Sequence, residues 1–214
     1  MRGEESEPPR RRDYPKAVRQ CLLAAERGDA DAQYALGCYY RDGDGVRQSH
    51  DEAMRWFRLA AAQGNEFAQW RLGATYHYGI GVQRDDAEAL RWFCMVAERG
   101  SSFAQVKVGE IYLKGEHASR DAAEALRWFR LAAERGDARA QQYLGEMYRW
   151  GEGTTPSNAE AVRWYRLAAE QGNDVARRRV NTMSENSNGR PTGPQRGGKP
   201  SARTQKSMMG TRFR

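Results

Sequence analysis

The chain has 214 residues, 39% of them hydrophobic and 29% charged, and a formal net charge of +7. Nowhere does it hold the run of about twenty apolar residues that a bilayer span needs, and its opening MRGEESEPPRRRD lacks the apolar stretch of a secretory signal. The positive charge does not imply a basic domain, because seven basic residues and one acid, Glu185, fall in 184–214, while residues 14–183 carry 24 basic and 23 acidic side chains.

Residues 1–12 read as a disordered N terminus, and residues 13–27 as the second half of a helical repeat. Asp13 is the expected N-cap there, with Pro15 in the first turn, where its missing amide does no harm. At Gly28 a fixed interval begins. Gly28, Gly64, Gly100, Gly136 and Gly172 are thirty-six residues apart, and Trp56, Trp92, Trp128 and Trp164 keep the same spacing. A period of this length marks a stacked helical array, in which each unit is one supersecondary element leaning on its neighbours. The units are 28–63, 64–99, 100–135 and 136–171, and 172–183 is a closing half repeat.

Each unit predicts two helices. Helix A follows a preferred N-cap (Asp29, Asn65, Ser101, Asp137 and, in the closing half, Asn173) and is expected to bury Ala32, Leu36 and Tyr40 and their counterparts Tyr76, Tyr112 and Tyr148. Gly37, Gly73, Gly109 and Gly145 cost about 1 kcal/mol each in helix propensity relative to Ala, which predicts a close helix approach there. The A-to-B loops carry paired glycines (Gly43 and Gly45, Gly79 and Gly81, Gly151 and Gly153), except that Gly115 is followed by Glu116 and His117, so that loop should differ. Helix B starts on a capping box, Ser49-x-x-Glu52, Asp85-x-x-Glu88, Asp121-x-x-Glu124 and Ser157-x-x-Glu160, in which two orphan amides are expected to be satisfied reciprocally. Its apolar stripe includes Ala53, Trp56, Phe57, Ala60 and Ala61, and it ends on the periodic glycine. The tail 184–214 is rich in Gly, Ser, Pro and Asn and reads as disordered; its charge offers a weak anionic partner, which would make the chain a nucleic-acid-associated adaptor through that tail, or simply a solvated terminus.

The columns Ala30-Asp31-Ala32-Gln33-Tyr34-Ala35-Leu36-Gly37-Cys38-Tyr39-Tyr40, Asp42-Gly43-Asp44-Gly45-Val46 and Glu52-Ala53-Met54-Arg55-Trp56-Phe57-Arg58-Leu59-Ala60-Ala61 resemble the Sel-one-like repeat (SLR) family, relatives of the tetratricopeptide repeats. The resemblance covers residues 14–183. It implies an all-α, right-handed α-solenoid with a concave helix A face, and a scaffold or adaptor that binds another protein without catalysis or cofactor. Cysteine-rich, secreted members of the family carry a disulfide in each repeat and are linked with penicillin binding or β-lactamase activity, the alternative reading. Cys21, Cys38 and Cys94 occupy three different columns, so no such staple can be drawn, and the S-x-x-K signature of serine β-lactamases is missing. A reducing, cytoplasmic location fits these cysteines best.

Other chemistry is thin. His50, His77 and His117 share no column and no metal-ligand spacing, and read as surface or loop histidines. Asp42 and Asp44 read as a solvated pair in a turn. Cys21 aligns with Phe57 and reads as core. Arg55, Arg91, Arg127 and Arg163 lie three residues after the capping-box glutamates and read as internal pairs rather than an anion stripe. Recognition belongs where the columns vary. On helix A these positions are Tyr34, Phe67, Trp70, Arg71, Tyr78, Phe103, Lys107, Arg139, Tyr143 and Trp150, with Cys38 among them. Aromatic and basic side chains together are the composition of binding hot spots, while the plainer alternative is that Phe67 and Phe103 fill gaps between successive helices.

Overall fold

The structure, a computed structural model, describes residues 14–115 and 120–187. Among these the chain forms ten helices and no strand: α1 (Lys16–Glu26), α2 (Ala30–Asp42), α3 (His50–Ala62), α4 (Glu66–Tyr78), α5 (Asp86–Glu98), α6 (Ser102–Lys114), α7 (Ala122–Glu134), α8 (Ala138–Trp150), α9 (Asn158–Glu170) and α10 (Asp174–Ser187). Even-numbered helices are the A helices and odd-numbered the B helices. Each packs mainly on its neighbours in sequence, the arrangement of an α-solenoid. The 1–12 segment, Asp13, Glu116, His117 and the chain after Ser187 lie outside the described residues.

The joint from each B helix to the next A helix follows from two residues. Gly28, Gly64, Gly100, Gly136 and Gly172 all adopt positive φ, between 87° and 97°, which lets the chain turn back without a Cβ penalty. Behind them the Asp29, Asn65, Asp137 and Asn173 carboxylate or amide oxygens accept the amides of Ala32, Ala68, Ala140 and Ala176. Ser101 departs from expectation: it sits at the cap position but its hydroxyl takes no amide, and the nearby Gly100 carbonyl accepts from Arg135.

At the start of the B helices only half of the predicted capping box forms. Ser49, Asp85, Asp121 and Ser157 do accept the amides of Glu52, Glu88, Glu124 and Glu160, at 2.9–3.3 Å. Their own N–H groups, however, donate to the carbonyls of Tyr40, Tyr76, Tyr112 and Tyr148 at the end of helix A. That leaves the glutamates no orphan amide to serve, and they pair with Arg55, Arg91, Arg127 and Arg163 one turn on. The arginine column is thus internally paired, as its spacing predicts. In α1 the cap is Pro15, in an extended conformation, and the helix starts at Lys16. Pro15 therefore lies outside the first turn expected for it; its ring is wedged against Gly45, where a Cβ would come within 2.6 Å.

Burial explains the glycines inside helix A. A Cβ on Gly37, Gly73, Gly109 or Gly145 would lie 2.5–2.7 Å from the ring of Phe57, Phe93, Phe129 or Tyr165. The tryptophans seal consecutive units. Trp128 of α7 joins the core cluster built from Phe93 and Val96 of α5 and Val108 and Ile111 of α6, and Trp164 of α9 likewise joins that of α7 and α8. Trp92 is half-buried and donates its indole N–H to Glu88 at 3.1 Å. Ala32 and Tyr40, Tyr76, Tyr112 and Tyr148 are half-buried rather than buried; the Tyr76 and Tyr148 hydroxyls reach the rim, where exposed Arg58 and Arg130 donate to them.

A polar column also runs through the core. Buried Gln33, Gln69, Gln105 and Gln141 donate to the carbonyls of Ala25, Ala61, Ala97 and Ala133 in the preceding B helix. Their oxygens accept from Gln63, Arg99 and Gln171, but Gln105 Oε1 has no partner, Arg135 having turned to Gly100. The last helix continues past the expected boundary at 184 to Ser187, anchored by buried Met183.

Candidate interaction face

Successive A helices bring their variable positions into one row. Tyr34 of α2 lies 5.8 Å from Phe67 of α4, ring centroid to centroid, and Trp70 of α4 lies 4.6 Å from Phe103 of α6. Both inner rings also rest on the core: Tyr34 on Phe57 at 5.8 Å and Trp70 on Phe93 at 4.6 Å. The outer rings stay wet, with Phe67 69% and Phe103 57% exposed, so filling a gap accounts for one side of each ring only. Tyr78 and Trp150, last residues of α4 and α8, are exposed as well, and the Arg149 guanidinium covers the Trp150 ring.

From α6 onward the row becomes polar. Glu110 is buried, and Lys107, Arg139 and Tyr143 all converge on it: Lys107 Nζ at 2.7 Å, an Arg139 nitrogen at 2.5 Å and the Tyr143 hydroxyl at 2.9 Å. Lys107 is thereby committed to an internal ion pair, and Tyr143 stacks on Phe129 at 4.5 Å. Burial and the Glu110 carboxylate push the Tyr143 hydroxyl above its ordinary pKa, so it donates and stays neutral. Glu110 is the residue that sequence reasoning overlooked. Its column reads Cys38, Ala74, Glu110, Glu146, and the change from small residue to acid was its signal.

Arg71 sits apart from that cluster. Its charge acts on the Tyr34 hydroxyl, whose pKa burial nonetheless raises, and its buried Nε meets no acceptor. His77 is another departure: it is neither on the surface nor in a loop. Its Nδ1 lies 2.5 Å from buried Asp86, which Arg84 also holds at 2.8 Å. Burial alone would raise the Asp86 pKa, but Arg84 and His77 together outweigh it and hold the carboxyl below its ordinary value. His50, in contrast, is exposed at the start of α3, as expected. Asp42 and Asp44 are exposed, as expected, and Asp42 also pairs with Arg41. Cys21, Cys38 and Cys94 are all free; Cys21 is half-buried in core, its thiol 3.2 Å from the Ala32 carbonyl. Among the described residues no three His, Cys, Asp or Glu side chains converge to hold a metal ion, and no helix is long and apolar enough to cross a membrane.

The family model described as Sel1 repeat matches residues 30–65, 67–101, 102–137 and 138–173, framing each repeat about two residues later than the glycine spacing does. Among solved structures, the chain is similar to a protective antigen of uropathogenic Escherichia coli displaying an SLR fold. The identity is 39% and the TM-score 0.72, over 79% of this chain and 36% of that one, so the chain spans about a third of the antigen's length. It is also similar to a Sel1 repeat protein from Oxalobacter formigenes, at 34% identity and a TM-score of 0.65, over 79% of this chain and 69% of that one. No curated protein matches it. Sel1 repeat proteins are generally protein-interaction scaffolds.

Proposed function

The chain belongs to the Sel1 repeat family, and from that premise we propose that it is a noncatalytic scaffold that binds a partner polypeptide along its concave helix A face. The observation that carries this reading is the row Phe67, Trp70 and Phe103, in which a half-buried indole holds an exposed ring in place beside a second exposed ring. Rigid aromatic side chains already fixed by packing lose little freedom on binding, which is why they dominate interface energies. The charged stretch around Glu110 gives the same face a polar end, with Arg139 54% exposed and able to reach a partner. Three free cysteines fit a reducing, cytoplasmic setting.

Affinity capture coupled to mass spectrometry, with the full chain as bait, tests this. The double variant Trp70→Ala/Phe103→Ala should lose the specific partner, since a hot-spot aromatic is worth about 2 kcal/mol or more, roughly a thirtyfold loss of affinity. Leu131→Ser, on the outer side of α7, should keep it. Equal capture by wild type and the double variant would remove the helix A face from consideration.

A further inference from the structure

At the first junction between units, α2, α3 and α4 enclose a cleft lined by Arg41, His50, Met54, Phe57, Arg71 and Thr75. Two of its guanidinium groups are incompletely used. Arg71 Nε is buried without an acceptor; its charge, after that of Arg41, helps hold the nearby Asp42 carboxyl below its ordinary pKa, yet Asp42 spends its two oxygens on Arg41. Arg41 grips Asp42 through Nε at 2.7 Å and Nη2 at 2.5 Å, leaving a buried Nη1 with no acceptor. Buried guanidinium N–H groups without partners are costly, so an acceptor arriving from outside is worth more there than at an open surface.

The array itself shows what such a position takes. One unit is thirty-six residues, so the pair Cys38 and Arg71 recurs as Glu110 and Tyr143 and again as Glu146 and Arg179. Tyr143 donates to Glu110 at 2.9 Å, and Arg179 Nε to Glu146 at 2.9 Å. Lys107, in the same column as Arg71, pairs with Glu110. Only at Arg71 does the column's cation face a thiol, Cys38, with the Tyr34 hydroxyl beside both. The column that supplies Glu110 and Glu146 later in the array supplies only a thiol here, and the one carboxylate that Arg71 acts on, Asp42, is held by Arg41.

We propose that the Arg41–Arg71 cleft is a carboxylate site, which an acidic side chain of the bound polypeptide enters to take the position that Glu146 holds beside Arg179. The inference deepens the helix A face reading by naming one chemical group of its occupant. Phe67 stands at the adjoining end of the aromatic row, against Tyr34, so an Asp or Glu in the cleft would be followed by contacts with that row.

The test needs no partner, so its failure leaves the broader reading standing. N-acetyl-L-glutamate α-amide is titrated into the full-length protein while the arginine Nε–H resonances are followed by NMR. The Arg71 signal, assigned by its loss in Arg71→Gln, should shift saturably with the glutamate probe and stay put with the uncharged N-acetyl-L-glutamine α-amide. Arg41 should respond with it. Cys38→Glu supplies the carboxylate from within, so in that variant the Arg71 signal should start displaced and the probe should no longer move it. No shift with glutamate, equal shifts with glutamate and glutamine, or an undiminished response in Cys38→Glu would each overturn the proposal. So would saturation by inorganic phosphate in the absence of any response to glutamate. If Cys38→Glu does not fold, the wild-type titration against the glutamine control decides alone.

Discussion

Gly109→Ala sets two opposing effects against each other at a single site. Replacing a mid-helix glycine by alanine gains about 1 kcal/mol of helix propensity, so at an open position the variant would be more stable. At Gly109 the new Cβ would lie 2.7 Å from Cε1 and 2.9 Å from Cδ1 and Cζ of Phe129. That is roughly 1 Å inside ordinary carbon contact. Phe129 is fully buried, with Tyr143 stacked on it, so the ring cannot retreat without opening the α7–α8 core. Overpacking of this kind costs typically 1–3 kcal/mol and occasionally more, and here the upper end applies because neither backbone nor ring can yield cheaply. The net expectation is a loss of about 2 kcal/mol, or roughly 4–8 °C in melting temperature for an array of this size. Circular dichroism during thermal and urea unfolding measures it, and Phe129→Leu supplies the partner for a double-mutant cycle. With the outer ring atoms gone, adding Gly109→Ala should cost far less than in the wild-type background. A Gly109→Ala protein that melts higher than wild type, or losses that simply add in the double variant, would refute close approach as the reason for the glycine.

Trp128→Ala should cost about 3–5 kcal/mol, and Trp92→Ala distinctly less, because Trp92 is only half-buried; equal melting points for the two would contradict the packing described. Arg135→Gln places at α7 the residue type that serves Gln141 as Gln171 and Gln33 as Gln63, and by satisfying Gln105 Oε1 it should stabilise by about 1 kcal/mol in urea unfolding. Asp86→Asn removes the carboxylate shared by Arg84 and His77 and should cost about 3 kcal/mol at neutral pH. Because the folded carboxyl titrates below its unfolded value, the Asp86 contribution is complete above the unfolded pKa and disappears as pH falls through the folded one, so the gap between wild type and variant should close in acid. Burial pushes the Cys94 thiol up to about 11, so in a Cys21→Ser/Cys38→Ser background Ellman's reagent should modify it slowly at pH 8, the rate climbing only well above pH 9.

Much of this architecture is written in residue types that have one structural use. A glycine followed by Asp or Asn at a fixed interval, a capping residue three before Glu, and Trp-Phe at helical spacing each specify local backbone or burial regardless of what surrounds them. The readings that failed depended on competition between groups. Nothing in Ser49-x-x-Glu52 reveals that the Tyr40 carbonyl reaches the Ser49 amide first, and nothing around Pro15 announces the loop glycine that holds its ring. His77 and Asp86 lie nine residues apart across a loop, a separation with no periodic signature. On helix A the exposure of Phe67, Tyr78, Phe103 and Trp150 was legible because variation along an outward column has no packing reason. Lys107 was not, since its commitment to Glu110 rests on how deeply that carboxylate is buried.

The glutamine column bears on how such an array can change length. Each of α2, α4, α6 and α8 carries an amide that plugs into an alanine carbonyl of the B helix before it, and α3, α5 and α7 present the same kind of carbonyl to the unit that follows. Plug and socket match at the first four joints, so a block of thirty-six residues removed or duplicated among them still finds its carbonyl, while at the fifth Arg177 takes the place of the glutamine and ends the series. The glutamine joint makes the units interchangeable at their seams, and much of what distinguishes one from another lies in the variable positions of helix A.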